Sequence, residues 1–256
     1  MSFDNVLASL HLGAVLPLLQ DVVEYDGEAR QLVKDWDFVV QFQLPGGNPS
    51  TALVFQKGKL TTQPGPYQGS KVTLTFKTPA FLNEVFQGKT TKQPSPNLNA
   101  LFHVKELKQV DQLTGKLEYY LKPSEELLKN PEIFAFCVRM NLYAVAFGIK
   151  YVAENDPEML PVAHHMPDGV VELRVLNGPA AHIKVEHGRF TSCRGPVQNP
   201  NAFLELKDVQ TAWALFSGNL DLFAAVGCGD IKLRGFIPLL DGVSPLMDRL
   251  TLYLGS

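Results

Sequence analysis

Cysteine is scarce: three residues in 256, none in a Cys-x-x-Cys pair. Three cannot complete a disulfide framework, and their spacing does not suit a structural zinc site. A reducing cytoplasm is the expected compartment. An excess of positive charge is missing as well. Lys and Arg number 23 against 26 Asp and Glu, a formal net charge of −3, so no nucleic-acid partner is expected. The low hydrophobicity of a disordered chain is also absent, since 45% of residues are apolar and 19% charged. The N-terminal stretch lacks the basic region and cleavage site of a secretory signal. The most apolar segment, Ile133 to Val152, is interrupted by Arg139, Asn141 and Lys150. An Arg at a bilayer centre costs about 2.5–3.5 kcal/mol, so this segment is read as a buried helix, and membrane contact is expected to be at most transient.

Catalytic signatures are equally thin. Walker, Gly-x-Ser-x-Gly and His-Glu-x-x-His sequences are absent. His164 and His165 are neighbours whose side chains diverge, and Pro161 and Pro167 place them in a loop. His103 and His182 fall in predicted strands and His187 at a turn, all read as structural. Cys228 lies between Gly227 and Gly229, read as a small buried residue in a tight turn. No metal, no cofactor and no catalytic residue is assigned, and the chain is read as not an enzyme.

What the sequence does contain is an internal echo. Leu12-Gly13-Ala14-Val15 returns as Leu142-Tyr143-Ala144-Val145, Gly58 as Gly188 and Gly88 as Gly218. The two glycine pairs share one offset, 130 residues. That period is far too long for a solenoid and implies two tandem copies of one domain, 1–125 and 126–256. Each half opens on a helix: Phe3, Leu7, Leu10, Ala14 and Leu18 mark one face, kinked at Pro17, and Asn130-Pro131-Glu132 is a helix start. Strands come next, with Val40, Phe42 and Leu44 alternating with Gln41 and Gln43, and Val171, Leu173 and Val175 with Glu172 and Arg174. Hairpins turn at Gly58 and Gly188. A fourth strand holds Val72, Leu74 and Phe76, or Ala202, Leu204 and Leu206. A helix then starts at Thr78 or Asp208 and stops at Gly88 or Gly218. Fifth strands are expected at Leu101 to Val104 and Ile231 to Arg234. Closing segments follow at Leu117 to Leu121 and Leu246 to Leu254; in the latter Leu246, Leu250 and Leu254 suit a helix and Leu250, Leu252 and Leu254 equally a strand, with helix favoured by the start signal Ser244-Pro245. The fold class is α+β: two repeats, each a roughly five-stranded, mainly antiparallel sheet with helices over one face.

The run Ala212-Trp213-Ala214-Leu215-Phe216-Ser217-Gly218-Asn219-Leu220-Asp221, then Phe223-Ala224-Ala225, then Gly229-Asp230-Ile231-Lys232-Leu233-Arg234-Gly235, resembles the sterol carrier protein type two family. The resemblance is close over Gly169 to Leu254 and holds in outline over Asp37 to Leu121. It departs in half one, where Phe102-His103-Val104-Lys105 replaces the Gly-ended strand. It departs again in half two, where Pro238, Gly242 and Pro245 break up the segment after the strand. The resemblance implies a carrier for an apolar molecule such as a fatty acid, an acyl-CoA or a sterol-like lipid, held in a cavity between sheet and helices. Such binding draws on buried area at about 25 cal/mol per Å² and needs no catalytic group. The expected lining in half two is Trp213, Phe216, Phe223, Ile231, Leu233 and Phe236, with the halves unequal and half two holding the ligand. The alternative is an interaction module whose cavities are filled by its own side chains, forming a homodimer or docking onto a lipid-handling enzyme. Phe86 and Phe216 are expected to be buried in either case.

Overall fold

The structure, a computed structural model, describes residues 2–255. The chain divides into two compact units, Met1–Tyr119 and Tyr120–Ser256. The fold class is α+β, with one five-stranded sheet in each unit.

Unit one opens on a helical run of changing pitch. α1 (Phe3–Leu10) passes into a π turn (His11–Val15), a 3-10 turn (Leu16–Leu18) and α2 (Leu19–Tyr25). The change of pitch surrounds Pro17, which has no N–H to continue an α ladder. α3 (Gly27–Val33) comes next, an element the sequence pattern does not announce. The strands are β1 (Asp37–Gln43), β2 (Ser50–Gln56), β3 (Lys59–Pro64), β4 (Val72–Thr75) and β5 (Ser95–Pro96), in the order β3-β2-β1-β4-β5. α4 (Pro79–Phe86) lies between β4 and β5, and α5 (Val104–Leu121) closes the unit.

Unit two repeats the plan. α6 (Pro131–Asn155) is unbroken, and α7 (Leu160–His165) succeeds it. The strands β6 (Gly169–Val175), β7 (Ala180–Glu186), β8 (Arg189–Arg194), β9 (Ala202–Leu206) and β10 (Ile231–Gly235) run in the order β8-β7-β6-β9-β10. α8 (Val209–Phe216) and α9 (Leu222–Cys228) stand between β9 and β10, and α10 (Ile237–Leu254) closes the unit. In each sheet the central strand pairs antiparallel with its hairpin partner and parallel with the fourth strand. The sheets are therefore mixed, not purely antiparallel. Val40 faces Leu53 and Val72, as Val171 faces Ile183 and Ala202, so the dry side of each sheet carries the same positions. Phe38, Val40 and Phe42 are buried on that side in unit one, and Val171, Leu173 and Val175 in unit two. The caps act as the sequence suggests: Thr78 accepts from the Phe81 N–H and Asp208 from the Thr211 N–H, while Gly88 and Gly218 take positive φ.

Several expectations need correction. The fifth strand of unit one is Ser95–Pro96; residues 98–102 form a 3-10 turn, and His103 caps it instead of lying in a strand. Among the described residues, the seven-residue α9 has no counterpart in unit one. Leu204 therefore meets Leu233 where Leu74 meets Pro96, an offset of 130 on one strand and 137 on the other. Pro238, Gly242 and Pro245 do not break the chain. Pro238 sits in the first turn of α10, where its missing N–H costs nothing, and the helix runs on past Pro245. The last helix thus starts well before Ser244. His164 and His165 end α7 instead of lying in a loop, and the His165 ring is 2.7 Å from the Pro161 carbonyl. Cys228 is exposed at the end of α9, not buried. Phe86 and Phe216 are half-buried; Phe86 stacks on His11 with ring centres 5.0 Å apart.

Two helical runs, Phe3–Tyr25 and Pro131–Asn155, are long and apolar enough to cross a bilayer. Each is mostly buried within the protein and packs on its own unit's strands, α2 on β3 and α6 on β7 and β8. At Gly148 an added Cβ would lie 2.7 Å from Leu250, so α6 and α10 approach closely there.

Candidate apolar site of unit two

Two capped helices and a strand frame the site. Asp208 starts α8 through a 2.8 Å bond from the Thr211 N–H, and that bond, with a second from the Thr211 hydroxyl, holds the Asp208 carboxyl below its usual pKa. Asp221 starts α9 through the Ala224 N–H at 3.0 Å, and Gly229 ends it in the left-handed conformation. β10 then lies antiparallel to β9, Ile231 opposite Leu206 and Leu233 opposite Leu204. Opposite residues share a face, so both side chains of β10 belong to the helix-facing side.

The six expected lining residues do not share one environment. Ile231 is fully buried under α9 and the sheet. Trp213 is half-buried and meets Phe134 of α6 edge-on at 6.0 Å, and Phe216 is half-buried one turn along. Leu233 is 44% exposed although its neighbour Leu204 on the same face is only 8% exposed. Phe236 is 46% and Phe223 89% exposed. The helical layer therefore covers β9 and leaves the β10 end of the dry face open. Phe134 and Ile237 escape a reading of the sequence: Phe134 is hidden within a long apolar run, and Ile237 adjoins a proline that looks like a break.

Gly235 has a positive φ, and an added Cβ would run into the backbone of Asn201. The glycine thus lets β10 turn into α10 beside β9, while the Phe236 N–H donates to the Asn201 carbonyl at 2.8 Å. It serves a backbone crossing, not a guest.

The opposite face of the same sheet is charged, with Glu172 and Glu205 themselves buried. Arg174 reaches Glu205 at 2.7 Å and Glu172 at 3.3 Å and lies over the Phe203 ring. Glu172 also accepts the Val197 N–H, as Gln41 accepts the Tyr67 N–H in unit one.

Each unit also carries a buried carboxylate at the end of its opening helical run. Asp156 ends α6, accepts the Glu158 N–H at 2.8 Å, and takes bonds from Arg249 at 2.5 Å and from the Tyr253 hydroxyl at 2.8 Å. Burial alone would raise its pKa, but the bonds from Arg249, Tyr253 and Glu158 prevail and hold it below the ordinary carboxylate range. Burial, with the bond to Asp156, pushes Tyr253 up to about 12. Arg249 also reaches Glu158 at 2.9 Å. In unit one Asp26 caps α3 at Ala29, and Lys116 binds it at 2.7 Å and Glu28 at 2.8 Å. An open groove of about 920 Å³ lies there, with Leu32 in its wall beside Asp26, Glu28, Gln31, Gln112 and Lys116. Among the described residues no three His, Cys, Asp or Glu gather as metal ligands.

A sheet covered by helices on one side, open at one end and ringed by apolar side chains, defines a class: an α+β fold with a candidate apolar site. Among solved structures, the chain is similar to sterol carrier protein domain 2 of Helicoverpa armigera, 19% identical over 43% of this chain and 87% of that one, with a TM-score of 0.35. It is similar to sterol carrier protein 2-like 2 of Aedes aegypti, 18% identical over 43% and 97% of the two chains, TM-score 0.30. It is also similar to sterol carrier protein 2 of Yarrowia lipolytica, 14% identical over 40% and 92%, TM-score 0.30. No family model and no curated protein matches the sequence.

Proposed function

We propose that this chain is a non-enzymatic binding and transfer protein for an apolar lipid, a fatty acyl or sterol-like molecule, built as a tandem repeat whose second copy holds the ligand. The observation that carries the reading is the open dry face at β10. Leu233 points the same way as the buried Leu204, yet it is left half exposed between Phe236 and the exposed α9. A guest laid over Leu233 and Phe236 gains about 25 cal/mol for each Å² of apolar surface removed from water. The sequence resemblance from Ala212 to Gly235 supports the same assignment. The equal strand orders and the shared offset of 130 residues support two copies divided near residue 125. Cytoplasmic residence is proposed from the three scattered free cysteines.

The alternative, an interaction module with filled cavities, draws support from unit one. There Asn83 stands at the position of Trp213, donates to the Asp4 carbonyl at 3.1 Å and lies 3.1 Å from the His11 ring. That polar seam ties α4 to α1 and offers no apolar wall.

The test is a displacement assay with a fluorescent fatty acid, with native mass spectrometry of the purified chain. Lipid binding at micromolar concentration is expected, weakened about tenfold by Leu233→Asp with Phe236→Asp, since each change puts a charge on the apolar floor. Absence of any bound lipid, or binding indifferent to both changes, would overturn the assignment. A homodimer that dissociates on the same substitutions would favour the interaction module.

A further inference from the structure

Unit one exposes a separate apolar cluster. Leu98 and Phe102 are 84% exposed, Leu101 75% and Val104 51%, all within seven residues around the 3-10 turn that joins β5 to α5. Isolated exposed apolar residues need no explanation, but four within seven residues do. Lys89 and Lys92 precede the turn, Lys105 and Lys108 come after it, and all four are exposed. Among the described residues none of the four is neutralised by an ion pair. The setting is more basic still. Residues 57–108 hold eight Lys against Glu84 and Glu106, a net charge of +6, in a chain whose total is −3. The corresponding stretch of unit two, 187–241, holds five basic and five acidic residues.

We infer that residues 89–108 form a docking site for an anionic bilayer surface, with Leu98, Leu101, Phe102 and Val104 entering the interface and the four lysines engaging lipid phosphates and carboxylates. The charge pattern selects this occupant. Apolar side chains bracketed by lysine suit the headgroup boundary, where burial and attraction to acidic lipids add. A second copy of the chain would bring the same +6 stretch against itself. The inference does not depend on the proposed ligand site, because its readout is attachment to vesicles whether or not unit two is loaded.

The experiment is co-sedimentation of the full chain with phosphatidylcholine vesicles with and without phosphatidylserine. Binding to the acidic vesicles is expected, falling as salt screens the charges. Leu101→Asp with Phe102→Asp is expected to weaken it about tenfold or more. Each of Lys89→Gln, Lys92→Gln, Lys105→Gln and Lys108→Gln is expected to weaken it about fivefold, the equivalent of ~1 kcal/mol. All these side chains are exposed, so unchanged thermal melting serves as the folding control. As an independent readout, Phe102→Trp is expected to be quenched by brominated lipid. Failure to sediment with acidic vesicles, equal binding to neutral ones, or an unquenched Trp would overturn the inference. So would sedimentation equilibrium showing a wild-type dimer that Leu101→Asp with Phe102→Asp dissolves, since the cluster would then belong to a second copy.

Discussion

The two units keep the same skeleton and differ in what is hung on it. At the end of the opening helical run both carry Asp-x-Glu, Asp26-Gly27-Glu28 and Asp156-Pro157-Glu158, and both carboxylates clamp a cation on the last helix. Elsewhere chemistry is exchanged position for position. Asp4, His11 and Asn83 form a hydrogen-bonded seam where unit two has Phe134, Asn141 and Trp213, with the two aromatics in contact. On the outer sheet face, Gln43 and Thr75 stand where unit two has Arg174 and Glu205. The hairpin register and the clamp are therefore what the fold requires, while the helix seam and the outer sheet face are free to specialise.

The largest effect should come from breaking the clamp that is more deeply buried. Asp156 is fully buried, and Arg249 is the cation that pairs with it. Arg249→Met is expected to destabilise unit two by about 3–5 kcal/mol, the usual result of stranding a buried charge. Lys116→Met should cost unit one only about 1–2 kcal/mol, since Asp26 keeps the Ala29 bond and lies nearer water. The chain's two tryptophans, Trp36 and Trp213, fall one to each unit, so Trp36→Phe and Trp213→Phe backgrounds let urea titrations report on the units separately. The same probes track acid. The Asp156 carboxyl has a lowered pKa in the fold, so its stabilisation is complete above the usual carboxylate pKa of about 3.9 and is lost as pH falls through the lowered value. Trp213 emission should therefore report an acid transition below about pH 4, and Arg249→Met should shift that transition upward. An unshifted transition would mean that Asp156 does not govern it.

Next comes the seam. Asn83→Ala should cost about 1–3 kcal/mol by taking from Asp4 and His11 the buried amide they share. If the seams are interchangeable, Asp4→Phe with His11→Asn and Asn83→Trp should recover most of that loss, as read by chemical denaturation. The smallest expected effects are at the matched caps. Thr78→Ala and Asp208→Ala should each lower stability by about 1 kcal/mol, and calorimetry that found one of them silent would show that its helix is held by packing alone.

Much of this plan can be read along the chain because it is local. Hairpin glycines, helix caps and alternating strands all act within a few residues, so Gly58, Thr78, Asp208 and Val171 could be placed without coordinates. The fifth strand of unit one could not. Ser95–Pro96 is too short to show alternation, and the insertion of α9 in unit two moves its counterpart by seven residues. The clamps join residues 90 and 93 apart, and no local pattern reports such a pairing. One signal was available: Asp-x-Glu recurs at the same offset of 130 as the glycines. For the candidate site, strand alternation puts Ile231 and Leu233 on one face of β10, but how far the helices cover that face depends on packing between elements.

A bond that ties residue 156 to residue 249 also has a place in time. Loop-closure entropy must be met before such a contact gives any return, so the clamp is expected to close after the hairpins and helices have formed. Interactions absent from the folding transition state act on the rate of leaving the native state and hardly on the rate of reaching it. Asp156 and Arg249 are thus expected to act as a lock on departure, with Arg249→Met raising the unfolding rate of unit two more than it lowers the folding rate, as stopped-flow denaturant jumps would read.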